Sequence, residues 1–183
     1  MKLKQDFWVG LAIAAIVLSS CSNQTTSQRQ QPAIKREISL KAVPLDKTKV
    51  VMGQTVYVPI YSHIYHYNSQ DQVMNLSATL SIRNTALTNS IIITSVRYYD
   101  TDGKLIREDI KSRVELKPLA STDFFIAADD TSGGSGANFI VEWVAEKTVY
   151  EPVIEAVMIS TSSSQGISFV SRAKILKQHR MQK

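Results

Sequence analysis

Through the middle of the chain, apolar and polar residues alternate with a period of two. Leu76, Ala78, Leu80 and Ile82 alternate with Ser77, Thr79, Ser81 and Arg83, which predicts a strand with one buried and one wet face. Thr55 to Tyr61 predicts the strand before it, with Pro59 favouring an edge or a bulge. Ile91 to Tyr99 is dense in β-branched and aromatic residues. Asp100-Thr101-Asp102-Gly103 then supplies turn chemistry for a hairpin into Lys104–Asp109. Further strands are predicted at Asp123–Ala127, Asn138–Glu146, Ile154–Ser160 and Ile167–Ile175. Past the first 20 residues no window shows a helical period. The expected fold is an immunoglobulin- or fibronectin-like antiparallel β-sandwich of about 7–9 strands.

The amino-terminal pattern is different. Lys2 and Lys4 precede an apolar run from Phe7 to Leu18, too short for a membrane-spanning helix, which needs about 20 residues. The run suits the apolar region of a secretory signal peptide. Leu18-Ser19-Ser20-Cys21 resembles the lipobox of bacterial lipoproteins. That resemblance implies diacylglyceryl transfer to the Cys21 thiol, cleavage before it, and acylation (palmitate or a similar chain) of the new amino terminus. It also implies a place at the cell envelope, with Ser22 favouring the periplasmic face of the outer membrane over the inner membrane. Cys21 is the single cysteine, so no internal disulfide is expected. The predicted organisation is a signal peptide at 1–20, a lipidated start and polar disordered tether at 21–36, a sandwich at 37–176, and a basic tail at 177–183.

Net charge is +5, but its placement argues against nucleic acid. Lys2 and Lys4 against Asp6 give the first 20 residues +1, and Arg172, Lys174, Lys177, Arg180 and Lys183 give the carboxyl end +5. Residues 21–171 are left at −1, without the basic face that nucleic-acid binding needs.

Five segments carry a family resemblance: 56–65 (VYVPIYSHIY), 81–85 (SIRNT), 98–103 (YYDTDG), 130–139 (DTSGGSGANF) and 165–172 (QGISFVSR). Falling in order, they resemble the signature blocks of a bacterial lipoprotein family known as domain of unknown function 3124. The resemblance spans about Val56 to Arg172. It implies an exported, lipid-anchored domain, often from photosynthetic bacteria, and brings no activity, cofactor or catalytic residue with it.

Candidate chemistry gathers in the loops. If successive strands reverse direction, every second connection emerges at one end, which collects His63–Asn75, Asp100–Gly103, Asp129–Asn138 and Thr161–Gly166. His63 and His66 are candidate metal ligands, with Asp71, Asp129 or Asp130 completing a set, although in a strand a three-residue spacing points them to opposite faces. In the Asp129–Gly136 loop, Gly133 and Gly134 would let backbone N–H groups converge on an anion, with Asn138 at the loop's end. The ordinary alternative is a structural turn capped by an aspartate. Tyr57, Tyr61, Tyr65 and Tyr67 cluster near His63 and could stack on a sugar or a partner side chain. No Gly-x-Ser-x-Gly elbow or other catalytic set is found. The expected function is therefore a non-catalytic binding module, anchored to the membrane by lipid and facing an envelope protein. The alternative is a metal- or small-ligand-binding lipoprotein using His63, His66 and the 129–136 loop.

Overall fold

The computed structural model describes residues 42–162 and 165–180. The expected signal peptide, Cys21 and the tether to residue 36 lie outside the described residues. Those described contain twelve strands and no α-helix. They are β1 (Met52–Pro59), β2 (His63–His66), β3 (Ser69–Asn75), β4 (Ser77–Arg83), β5 (Ile91–Tyr99) and β6 (Leu105–Glu108). β7 (Val114–Leu116), β8 (Ser121–Ile126), β9 (Asn138–Ala145), β10 (Val153–Ser160), β11 (Ile167–Arg172) and β12 (Lys174–Arg180) follow.

Two antiparallel sheets form a sandwich. One has the order β12-β1-β9-β5, with β6 and β7 both pairing along the remaining edge of β5. The other has the order β11-β10-β4-β8. The alternation read from the sequence decides which face turns inward. Ala78, Leu80 and Ile82 of β4 and Ile154, Ala156 and Met158 of β10 meet Val56 and Val58 of β1 and Phe139, Val141 and Trp143 of β9. Each large side chain buried this way contributes about 1.5–3 kcal/mol. β5 needs one correction of phase. A register shift against β9 falls between Ile93 and Ser95, so Ile91 and Ile93 point inward before it and Val96 and Tyr98 after it.

Four expectations are revised. The strand count is twelve rather than 7–9. His63–Asn75, expected as a polar loop, is a β2–β3 hairpin that joins neither sheet. Ile167–Ile175, expected as one strand, is broken at Ala173 into β11 and β12, which belong to different sheets. Residues 177–180, expected to begin a tail, lie in β12, where Lys177 pairs with Thr55 and His179 with Gly53.

Candidate functional site at the shared loop end

Both sheets deliver their connections to one end, where β1 and β5 finish and β9 starts: Asn138 pairs with both Pro59 and Tyr99. The 127–137 loop is the hub. Ile60 N–H donates to the Ala137 carbonyl (2.9 Å), Ser62 N–H to that of Gly134 (3.0 Å) and Thr101 N–H to that of Gly133 (2.9 Å). The Thr101 hydroxyl donates to the Gly133 carbonyl (2.9 Å) and accepts from Gly136 N–H (3.0 Å). Leu76 N–H donates to the Ser62 carbonyl (2.9 Å), which roots the far leg of the hairpin in the same hub.

Beneath the loop lies Tyr98, fully buried, with its hydroxyl 3.2 Å from Ser62 Oγ and its ring 5.0 Å from that of Phe139. Arg107 stands over the Tyr98 ring at 5.5 Å. It donates from Nε to Asp109 (2.9 Å), reaches Asp130 at 3.6 Å and donates to the Phe125 carbonyl (3.1 Å). Burial raises the pKa of Tyr98, which the hydrogen bond with Ser62 partly offsets. Burial also raises that of Asp109, against the pull of the Arg107 guanidinium. The second carboxylate oxygen of Asp109 is buried without a hydrogen-bond partner, the ordinary cause of such a shift.

The glycines of this loop serve packing. A Cβ on Gly133 would lie 2.7 Å from Ala137 Cβ and 2.8 Å from Tyr98 Cζ, and closer still to the Tyr98 hydroxyl. Gly134 has φ +73°, where a side chain is strained. N–H groups of the loop, including that of Gly134, are paired within the protein, as the structural-turn alternative expects. Thr131 N–H donates to Asp129 O, Ser132 N–H to Asp130 Oδ1, Gly134 N–H to Thr131 O and Gly136 N–H to Thr101 Oγ1. Asp130 caps the turn, and its other oxygen faces Arg107. Asp129 is exposed and lines a shallow depression of about 370 Å³ with Asn75, Ser77, Ile159 and Thr161. Asn138 is buried in β9.

The two histidines do not converge with these carboxylates. His63 lies edge-on to Tyr65 at 6.3 Å, and His66 lies against Tyr67 at 3.7 Å. Among the described residues no group of three or more His, Cys, Asp or Glu side chains is placed to hold a metal ion. Asp100 accepts from Asp102 N–H (3.0 Å) and Lys104 N–H (2.8 Å), which makes it a turn cap.

The hairpin presents a chemical surface. Tyr65 pairs with Val73 across it, and both are exposed. Tyr67 and Asn68 form its two-residue turn, with φ of 49° and 60°. Positive φ at both positions is a type I′ turn, which Asn and Gly suit and Tyr does not. Tyr67 is nonetheless there, 77% exposed. Sequence reasoning placed the tyrosines near His63 but missed the Arg107–Asp109–Asp130 contacts, because nothing in the residue pattern marks Asp109 as buried.

A family model described as "Protein of unknown function (DUF3124)" matches residues 53–176. The chain belongs to that family. The match runs from β1 into β12 and so takes in both sheets and every loop of the shared end. No curated protein matches the sequence. Among solved structures, the crystal structure of Thermotoga maritima 1070 is similar at 12% identity and a TM-score of 0.38, over 66% of this chain and 92% of that one.

Proposed function

We propose that this member of the family is a lipid-anchored envelope protein, held by diacylglycerol and an acyl chain on Cys21, whose sandwich is a non-catalytic binding module for another protein. The observation that carries the binding role is the β2–β3 hairpin. It stands apart from both sheets, shows Tyr65, Tyr67 and Val73 to solvent, and keeps a tyrosine in a backbone conformation that disfavours one. Strain kept at an exposed aromatic that packs no core points to a purpose outside the fold. Exposed tyrosines are also the residues that anchor protein interfaces, since they bring large apolar area at small entropic cost. The hub beneath holds the hairpin in place, so the surface is preorganised.

Two measurements test this reading. The anchor is tested by labelling cells with a radioactive fatty acid: label on the wild type that is lost in Cys21→Ser supports it, and an unlabelled wild type overturns it. The binding surface is tested by placing a photo-cross-linking amino acid at position 67 in cells, with position 87 as the control. Leu87 is also exposed and lies in the β4–β5 connection, at the opposite end of the sandwich. A discrete adduct from 67 that is missing from 87 is the expected result. Equal smears from both would remove the hairpin as the contact.

A further inference from the structure

The outer face of the four-stranded sheet has a pattern that neither the fold nor the hairpin uses. Its pairings align outward-facing residues in rows across β11, β10, β4 and β8. One row is Val170, Val157, Thr79 and Phe125, and the next is Arg172, Glu155, Ser81 and Asp123. Phe125 is 58% and Val170 54% exposed, and Ile159 and Val153 on the same face are exposed too. An antiparallel sheet with one wet face ordinarily carries polar residues there. β4 obeys that rule with Ser77, Thr79, Ser81 and Arg83, whereas β10 breaks it with Val153, Val157 and Ile159 and the edge strands break it at Val170 and Phe125.

The distribution along each row suggests what covers the face. In the second row a cation, Arg172, stands on the β11 edge and an anion, Asp123, on the β8 edge. In the first row an aliphatic residue stands on the β11 edge and an aromatic one on the β8 edge. A two-fold axis parallel to the strands, between β10 and β4, exchanges β11 with β8 and keeps every row level. It sets Arg172 opposite Asp123 of a second copy, and Val170 opposite its Phe125, each contact made twice. Glu155 then faces Ser81, and it keeps Arg83 of its own chain at 3.8 Å, so no like charges are forced together. An axis perpendicular to the strands would reverse the order of the rows and lose both pairings.

We infer that this face is a self-complementary surface on which a second copy of the chain docks, sheet against sheet, through Phe125–Val170 and Asp123–Arg172 contacts. Isologous pairing of one patch with itself is the commonest route to a dimer, and face-to-face sheets pack at about 10 Å with side chains interdigitated. Four strands about 4.8 Å apart and six residues long at about 3.4 Å each give a flat patch of about 400 Å² per copy. That is small beside the roughly 800 Å² per partner of a typical stable interface. The dimer is accordingly weak and concentration-dependent.

Cross-linking in the intact envelope suits a weak dimer. Full-length chains carrying Phe125→Cys and Val170→Cys are co-expressed with different tags, treated with a short bismaleimide, and separated under denaturing conditions, because thiols on sheets about 10 Å apart lie beyond disulfide reach. The wild type, with Cys21 alone, sets the baseline. The expected result is a mixed dimer from the F125C and V170C pair, with neither variant linking to itself above baseline. Equal linking in all three combinations reports random collision and overturns the inference. So does a baseline signal from the mixed pair when both variants resist protease like the wild type. Charge exchange gives a second readout. Arg172→Asp and Asp123→Arg should each lower the mixed-dimer yield by about tenfold, and both changes in one chain should restore it. Failure of the doubly exchanged chain to recover, with its fold intact, would count equally against the pairing.

Discussion

Replacing Gly133 with alanine adds a single methyl group, and its consequence can be worked out from the contacts around it. The new Cβ would meet Ala137 Cβ at 2.7 Å and Tyr98 Cζ at 2.8 Å, where ordinary contact begins at 3.4 Å. Ala137 and the Tyr98 ring must therefore retreat by about 0.6–0.7 Å, and the Tyr98 hydroxyl, nearer still, by more. Tyr98 cannot easily do so, because its ring is fully buried against Phe139 and its strand is held between β9 and β6. Overpacking of this kind costs about 1–3 kcal/mol. Pushing the Tyr98 hydroxyl away from Ser62 adds about 1 kcal/mol. The expected loss is about 2–4 kcal/mol, read as a lowered urea midpoint with an unchanged slope. A companion variant separates this cause from general damage. Tyr98→Phe deletes the atom nearest the new methyl and by itself costs about 1 kcal/mol. The double variant should then be at least about 1 kcal/mol more stable than the sum of the two single losses predicts. A Gly133→Ala midpoint indistinguishable from wild type, or strict additivity in the pair, would refute the account of why glycine stands there.

Tyr67→Asn should raise stability by about 0.5–1 kcal/mol, since asparagine accepts positive φ where tyrosine is strained; with the cross-linking residue moved to position 65, the same substitution should weaken the adduct, so thermal melting and cross-linking would move in opposite directions. Asn84 is buried and donates to the carbonyls of Asn89, Leu116 and Lys117 while accepting from Ala86 N–H. Asn84→Ala, by stranding those groups, should cost about 2–4 kcal/mol in a urea titration. Asp109 has a folded pKa raised above 3.8 by burial, so its ionised form detracts from stability at neutral pH, and that deficit fades as pH falls through the folded value toward 3.8. Asp109→Asn should therefore compare best with wild type at pH 7 and lose ground as the solution is acidified, which paired melting curves across that range would show.

The sequence made the sheets legible where burial was one-sided. β4 and β9 alternate cleanly because one face of each packs in the core. It failed where that contrast disappears. The β2–β3 hairpin joins neither sheet, so Gln70, Asp71 and Gln72 read as loop, and a Tyr67-Asn68 turn lacks the glycine that marks most hairpins. β7 spans only three residues before Pro118, too short to show a period. The crossing at Ala173 has no glycine or proline to announce it. The shared loop end was nevertheless derivable from strand parity, for a topological reason. The missed hairpin adds two reversals, which cancel. β6 and β7 both run antiparallel to β5 and so count as one course. What parity could not show was the loop's interior. Asp129–Gly136 reads alike as an anion nest and as a packing turn, and only the position of Tyr98 and Thr101 beneath it decides between them.

The place of β1 has a consequence in time. Among the described strands it is the first to be synthesised, yet its neighbours on either side are β9 and β12, with Met52 pairing to both Ala145 and Arg180. One edge of β1 therefore stays open until β9 has been made, and the other until β12 has. Long-range pairing of this sort slows folding and leaves early strands exposed to aggregation. A nascent chain that releases β1 so early and pairs it so late has to be kept extended in the interval, and β12 becomes the strand that commits this sheet to its final form.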